Sequence, residues 1–175
     1  YQIVHAVEFG VPQKRERIII VGFRKNLNVE FDFPEAVVDS PEKYVPLAKV
    51  IDSDVDDKYF FSQKAVDGMM RNRESMNKGR AQNIDEPCNT VGAHLAKVSL
   101  NSTDPVLMVD NKYRRFTPRE VARIQSFPET FKLTESEHAQ YKALGNAIPP
   151  VMFWYIMRSV KNSLNSEKKY ESITV

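Results

Sequence analysis

The stretch Gly10–Phe23, GVPQKRERIIIVGF, sets four charged residues directly against four consecutive β-branched ones. Ile18, Ile19, Ile20 and Val21 read as a strand covered on both faces, as in a parallel sheet flanked by helices. A charge run cannot enter such a core, and the two-residue period of a strand resolves the conflict. Residues i, i+2 and i+4 share one face. If the strand starts by Gln13, then Gln13, Arg15 and Arg17 project together while Lys14 and Glu16 point the other way. That row can line the mouth of an α/β sheet, where such proteins bind ligands. Two guanidiniums on one face suit a phosphate, or a carbonyl that gains negative charge during a reaction. The same row would also serve as a solvated strand end with surface pairs, and the pattern alone leaves both readings open.

The 175 residues suffice for one ordinary domain, or a larger piece with a small insert. With 42% hydrophobic and 27% charged residues the chain reads as globular rather than disordered. A net charge of +2 gives no general attraction to nucleic acid, so any such contact must come from local clustering. Cys88 is the only cysteine, which excludes an intrachain disulfide and suggests no oxidising compartment. The longest apolar run, Val151–Met157, is far from a membrane span. The first residues lack the basic and apolar regions of a signal peptide, so a cytoplasmic location is expected. Tyr1 already lies inside a patterned segment and is not expected to be a natural beginning.

Three stretches and a tail follow along the chain, without internal repeats. Residues 1–25 hold the charged row and its strand. Residues 26–110 are irregular and proline-punctuated; an acidic patch at Asp52, Asp54, Asp56 and Asp57 precedes a basic one, RNRESMNKGR, at Arg71–Arg80. A small loop-rich domain with short strands is expected there. Residues 111–165 are strongly patterned. Thr117 can cap a helix, Pro118 suits its first position and Glu120 completes a capping box, with Pro128 as the stop. A second helix starts near Pro149-Pro150, and Phe153, Ile156, Met157, Val160 and Leu164 follow helical spacing as a core-packing stripe. Residues 166–175 read as a frayed tail.

Three blocks resemble the cytosine-5 DNA methyltransferases. FGVPQKRERIIIVGF is similar to that family's Gln-x-Arg-x-Arg motif and its following strand. RRFTPREVARIQSFPETF, Arg114–Phe131, resembles the next conserved block. YKALGNAIPPVMFWYI, Tyr141–Ile156, resembles the last, with the Gly-Asn signature at Gly145-Asn146. Order and spacing match, and the variable stretch between the first two blocks falls where the family keeps its target-recognition domain. DEPCNTVGAHL resembles the Thr-containing turn near the end of that domain, with Thr90-Val91 at the matching place.

The resemblance implies a fold, a reaction and a set of residues. The fold is part of an α/β, Rossmann-like S-adenosylmethionine-dependent methyltransferase sheet, carrying a small loop-rich recognition domain. The target cytosine is flipped out of duplex DNA; a cysteine thiolate adds to C6, a glutamic acid supports N3, and C5 takes a methyl group from S-adenosylmethionine. Arg17 would donate to the cytosine O2 and hold the developing charge, a task for a permanent cation. Arg15 would brace the catalytic loop or the phosphates beside the flipped base, and Gln13 would hold the turn and its polar network. Asn146 and Ala147 match positions near the methionine end of the cofactor; many relatives have Ser where this chain has Ala147, which removes a hydroxyl but keeps the backbone groups. Arg71, Arg73, Lys78 and Arg80 would touch DNA, with Thr90 near the recognition loops. From charge alone these four are equally a solvated basic loop, and from composition alone Gly-Asn is equally a turn that tolerates positive φ.

The family's glycine loop, Pro-Cys nucleophile and Glu-Asn-Val motif precede the Gln-x-Arg-x-Arg block and are missing from this sequence. The chain therefore looks like the C-terminal portion of such an enzyme, inactive by itself. Its partner would be an N-terminal half carrying the cofactor loop and the catalytic cysteine, in the same polypeptide or a separate one. Pro87-Cys88 imitates the nucleophile, but it follows the Gln-x-Arg-x-Arg block and sits in the recognition-domain turn. His5, His94 and His138 have no metal-ligand spacing. The expected role is DNA cytosine-5 methylation in a bacterial restriction–modification system, in a nucleoid-associated setting. A tRNA cytosine-5 methyltransferase and a non-catalytic DNA-binding specificity subunit are the alternatives.

Overall fold

The computed structural model describes residues 1–71, 81–97, 104–133 and 136–171, with the backbone alone at 69–71, 97 and 167–171. Strand β1 (Gln2–His5) runs into a 3-10 turn, Ala6–Phe9, that ends on Gly10. Gly10 has φ 75°, and its N–H closes the turn on the carbonyls of Ala6 and Val7. This left-handed stop needs a residue without a Cβ. The chain then returns through β2 (Gln13–Lys14) and β3 (Glu16–Ile19). β1 and β3 pair antiparallel, with Ile3 opposite Ile18 and Val4 opposite Arg17.

The alternation read from the sequence is present. Gln13 and Arg15 are buried, Arg17 and Ile19 are partly buried, and Lys14, Glu16 and Ile18 are exposed. The expectation of a parallel strand covered on both faces is corrected. The partner β1 is antiparallel, and one face of the pair is open: Ile3, Ile18 and Ile20 are 53%, 66% and 79% exposed. The reason is a single covering layer. Val4, Ala6, Phe9 and Val11 form a core with Met152 and Ile156 of the last helix, and among the described residues no element packs on the opposite side.

A second core lies under the middle of the chain. Leu47, Cys88, Val91 and Leu95 pack there with Phe116, Val121, Ile124, Tyr141 and Leu144. The core thus crosses from residues 26–110 into residues 111–165. Short elements feed it. Helix α1 (Gln63–Arg71) and a series of 3-10 turns lie in the middle stretch, and β4 (Cys88–Asn89) pairs parallel with β2. β5 (Leu107–Val109) and β6 (Lys112–Arg114) form a hairpin. Asp110 and Asn111 turn it at φ 48° and 60°, the left-handed pair a two-residue hairpin prefers.

Helix α2 (Pro118–Ile124) starts on the expected capping box: Glu120 N–H donates to Thr117 Oγ1 at 3.1 Å, and Thr117 N–H donates to Glu120 Oε2 at 2.7 Å. It ends at Gln125, ahead of Pro128. Helix α3 (Glu137–Asn146), an element the sequence pattern does not announce, starts on Ser136, whose hydroxyl accepts from the Ala139 N–H.

Helix α4 (Pro150–Glu171) corrects two expectations. It continues to Glu171, through the first residues of the stretch read as a frayed tail. Among its described side chains Met152 and Ile156 are the buried ones, whereas Phe153, Met157 and Leu164 are 41%, 45% and 36% exposed. α4 carries two apolar stripes, and β1–β3 covers only one.

Candidate functional site

The charged row meets the end of α2, the end of α3 and the Thr90–Gly92 turn at one place. β4 brings the turn there, because Gln13 lies beside Cys88 and Lys14 beside Asn89 in the parallel pair. The Cys88 N–H donates to the Pro12 carbonyl at 3.0 Å, and Thr90 Oγ1 donates to the Lys14 carbonyl at 2.8 Å.

Gln13 is fully buried and uses its whole amide. Its Oε1 accepts from the Val91 N–H at 2.9 Å. Its Nε2 donates to Gln125 Oε1 at 3.1 Å and to the Ile124 carbonyl at 3.4 Å. Gln125, also fully buried, donates onward from Nε2 to the Leu144 carbonyl at 2.6 Å.

Arg15 is 2% exposed, and its guanidinium is clasped by backbone carbonyls: Nη1 donates to Val91 O at 3.1 Å, and Nη2 to Gly145 O and Ala147 O at 3.0 Å each. Burial first, and the neighbouring charge of Arg17 second, push its pKa down to about 10. It therefore remains a cation at neutral pH. Its Nε is buried without an acceptor among the described residues.

Arg17 stands differently. It lies in β3 beyond the turn at Lys14 and is partly exposed, and its hydrogen bond among the described residues runs from Nη1 to the carbonyl of its own neighbour Glu16, at 2.6 Å. Gln13 and Arg15 are spent on holding the fold, and the Arg17 guanidinium is the member of the row left available.

Gly145 and Asn146 end α3, and neither has a positive φ, so the turn reading of this dipeptide does not hold. Gly145 is required by proximity: a Cβ there would overlap the Gly92 carbonyl and the Ala93 nitrogen. Asn146 is exposed and its side chain has no hydrogen-bond partner among the described residues; Ala147 is partly exposed, with its carbonyl held by Arg15.

Cys88 is fully buried, and burial pushes its thiol well above the usual range, so it supplies no thiolate here. His94 and His138 are exposed, and His5 Nδ1 lies 3.3 Å from Glu16 Oε1. Arg73, Lys78 and Arg80 lie outside the described residues, and Arg71 is described only as the backbone end of α1.

Sequence reasoning missed Gln125 and the pair Arg114–Glu120. Arg114 donates from Nη1 to Glu120 Oε2 at 2.8 Å and from Nη2 to Glu120 Oε1 at 2.7 Å, with the two side chains 1% and 0% exposed. The same pair grips the middle stretch, since Arg114 donates to the Asp52 carbonyl at 3.2 Å and Glu120 accepts the Asp52 N–H at 2.8 Å. The capping box pointed to Glu120, but a cap is ordinarily solvated and gave no sign of a buried cation.

The chain is similar to known methyltransferases. The Lactococcus lactis subsp. cremoris type II methyltransferase M1.ScrFI is 34% identical over 175 residues, covering 94% of this chain and 43% of that protein. The Fusobacterium nucleatum type II methyltransferase M.FnuDI is 31% identical, covering 96% of this chain and 56% of its own length. This chain thus spans about half the length of the relatives it matches. Among solved structures, S. pombe Dnmt2 methyltransferase superposes with a TM-score of 0.66 at 17% identity, over 94% of this chain and 57% of that one. Entamoeba histolytica methyltransferase EhMeth gives 0.65 at 16%, over 93% and 53%. These likenesses establish the methyltransferase fold. The family model for C-5 cytosine-specific DNA methylases matches residues 1–162, from the first strand through the charged row to α4. With nearly the whole described chain inside that match, this chain belongs to the C-5 cytosine-specific DNA methylase family.

Proposed function

We propose that this chain supplies the target-recognition and C-terminal part of a DNA cytosine-5 methyltransferase acting on a flipped cytosine in duplex DNA, in a bacterial restriction–modification system. The observation that carries the reading is the division of labour along the row Gln13, Arg15 and Arg17. Gln13 and Arg15 are locked to backbone groups, while Arg17, two residues further on, keeps its guanidinium available at the surface. A cation so placed donates to the cytosine O2 and stabilises charge that develops on the ring.

Residues 1–25 and 111–165 form the catalytic portion in this reading, and residues 26–110 the recognition domain. Thr90 lies by the recognition loops, and Arg71, Arg73, Lys78 and Arg80 contact the DNA. S-adenosylmethionine, when bound, supplies an electrophilic methyl group. Asn146 suits its neighbourhood, because its carboxamide is exposed and uncommitted, and Ala147 offers backbone groups in place of a serine hydroxyl. The nucleophile and the glycine loop come from a complementary N-terminal half. Three observations support that partner: the chain spans about half of its relatives, the face bearing Ile3, Ile18 and Ile20 is uncovered, and the buried Nε of Arg15 awaits an acceptor such as a catalytic-loop carbonyl. A cytoplasmic site of action fits a DNA substrate; no helix among the described residues is long and apolar enough to cross a membrane.

Labelled S-adenosylmethionine, offered with duplex DNA and with tRNA to the enzyme assembled from both halves, tests the reading. Label as 5-methylcytosine in DNA is expected, with Arg17→Ala lowering turnover by about 10²–10³-fold and the isolated chain inactive. Label in tRNA alone, or in neither acceptor, overturns it.

A further inference from the structure

The polar contacts around the row close into a circuit. Val91 donates its N–H to Gln13, Gln13 donates to Gln125, Gln125 donates to the Leu144 carbonyl, and Arg15 spans from the Gly145 and Ala147 carbonyls back to Val91 O. The three side chains are 0–2% exposed, so water cannot replace a lost bond. Each amide has one permitted orientation. Turning Gln13 would set its NH2 against the Val91 N–H, and turning Gln125 would set oxygen against oxygen at Leu144. The Leu144 carbonyl also accepts the Ala147 N–H at 3.2 Å, so Gln125 holds the atom on which α3 ends.

The geometry points to Gln125 as a positioning residue that couples the Thr90–Gly92 turn to the Gly145–Ala147 end of α3. This rests on the reading above, in which the turn faces duplex DNA and the end of α3 faces the cofactor. One buried hydrogen-bonded body then contains both surfaces. Ordering one end fixes the other, and the coupling is reciprocal between the two ligands. Gln125 touches neither ligand; it acts through the polarity it imposes on Gln13 and on the Leu144 carbonyl.

The affinity of the assembled enzyme for a duplex carrying its target is measured with and without S-adenosylhomocysteine. The wild type is expected to bind at least ~5-fold tighter with it, and Gln125→Met to bring that ratio to about 1. Val121→Ala opens a cavity in the fully buried core side of the same helix and removes no polar partner, so it is expected to keep the wild-type ratio. A wild-type ratio of 1, a Gln125→Met enzyme that keeps the wild-type ratio, or a Val121→Ala enzyme that loses it overturns the inference. If the wild type binds no duplex DNA, the proposed function fails, and amide exchange on this chain still decides the circuit. Faster exchange at both Val91 and Ala147 in Gln125→Met supports it; unchanged protection at Val91 overturns it.

Discussion

Gly145 of α3 and Gly92 of the Thr90–Gly92 turn touch backbone to backbone, with no room between them for a single methyl group. Alanine is the better helix former by ~1 kcal/mol, yet at this position its Cβ would strike peptide atoms rather than a side chain that could swing aside. Gly145→Ala is therefore expected to destabilise the chain by ~1–3 kcal/mol, the usual range for overpacking. Urea unfolding checks this, and a midpoint equal to wild type would show that the close approach is dispensable.

The buried pair Arg114–Glu120 should be costly to break and cheap to replace. Glu120→Leu leaves a guanidinium in the core with no carboxylate and is expected to cost ~3–5 kcal/mol. The double change Arg114→Met with Glu120→Leu removes both charges and should recover a large part of that loss. A double-mutant cycle by chemical denaturation gives the coupling. Strict additivity of the two single losses would contradict the pairing.

Alkaline pH should weaken this fold. Burial raises the Cys88 thiol above its ordinary 9.0 and the Tyr141 phenol above its ordinary 10.0. Below those ordinary values both groups are protonated folded and unfolded, and their contribution is fully present. As pH rises past them the unfolded chain releases protons that the native chain keeps, so stability falls. Denaturation midpoints at pH 8 and pH 10 are expected to differ in that direction, and Cys88→Ala should lessen the difference. A midpoint that climbs over this range would contradict the burial of both groups.

The open face of β1–β3 should make the isolated chain self-associate. Ile3, Ile18 and Ile20 together place apolar area on a sheet face where water is the sole neighbour among the described residues. Ile18→Glu with Ile20→Glu is expected to reduce association in sedimentation velocity while changing stability by no more than ~0.5 kcal/mol. Equal association of both forms would place the contact elsewhere.

What the sequence made legible was local. The parity of Gln13, Arg15 and Arg17 follows from a two-residue period, and the Thr117–Glu120 box from four adjacent residues. Gln125 looked like any polar residue at a helix end, because its partners Gln13 and Leu144 come from other blocks. Gly145 read as part of the Gly-Asn signature, but its reason for being glycine was hidden, because the peptide it must admit lies far away in sequence. On α4, helical spacing fits both the stripe through Met152 and Ile156 and the stripe through Phe153 and Met157. Spacing says that a stripe will be covered, and only the arrangement of β1–β3 says which one this chain covers itself. Helix α3 had a readable start in Ser136, but its weakly amphipathic face gave the eye little else.

The buried side chains that seat the middle stretch hold it by its peptide groups. Gln13 and Arg15 take the N–H and carbonyl of Val91, and Arg114 and Glu120 take the carbonyl and N–H of Asp52. Every residue except proline offers that same pair of atoms. A graft that preserves the two backbone anchor points and the buried apolar contacts of Cys88 and its core neighbours can thus bring a different set of exposed side chains between them, and descent can rewrite the surface of this stretch while the socket that receives it stays unchanged.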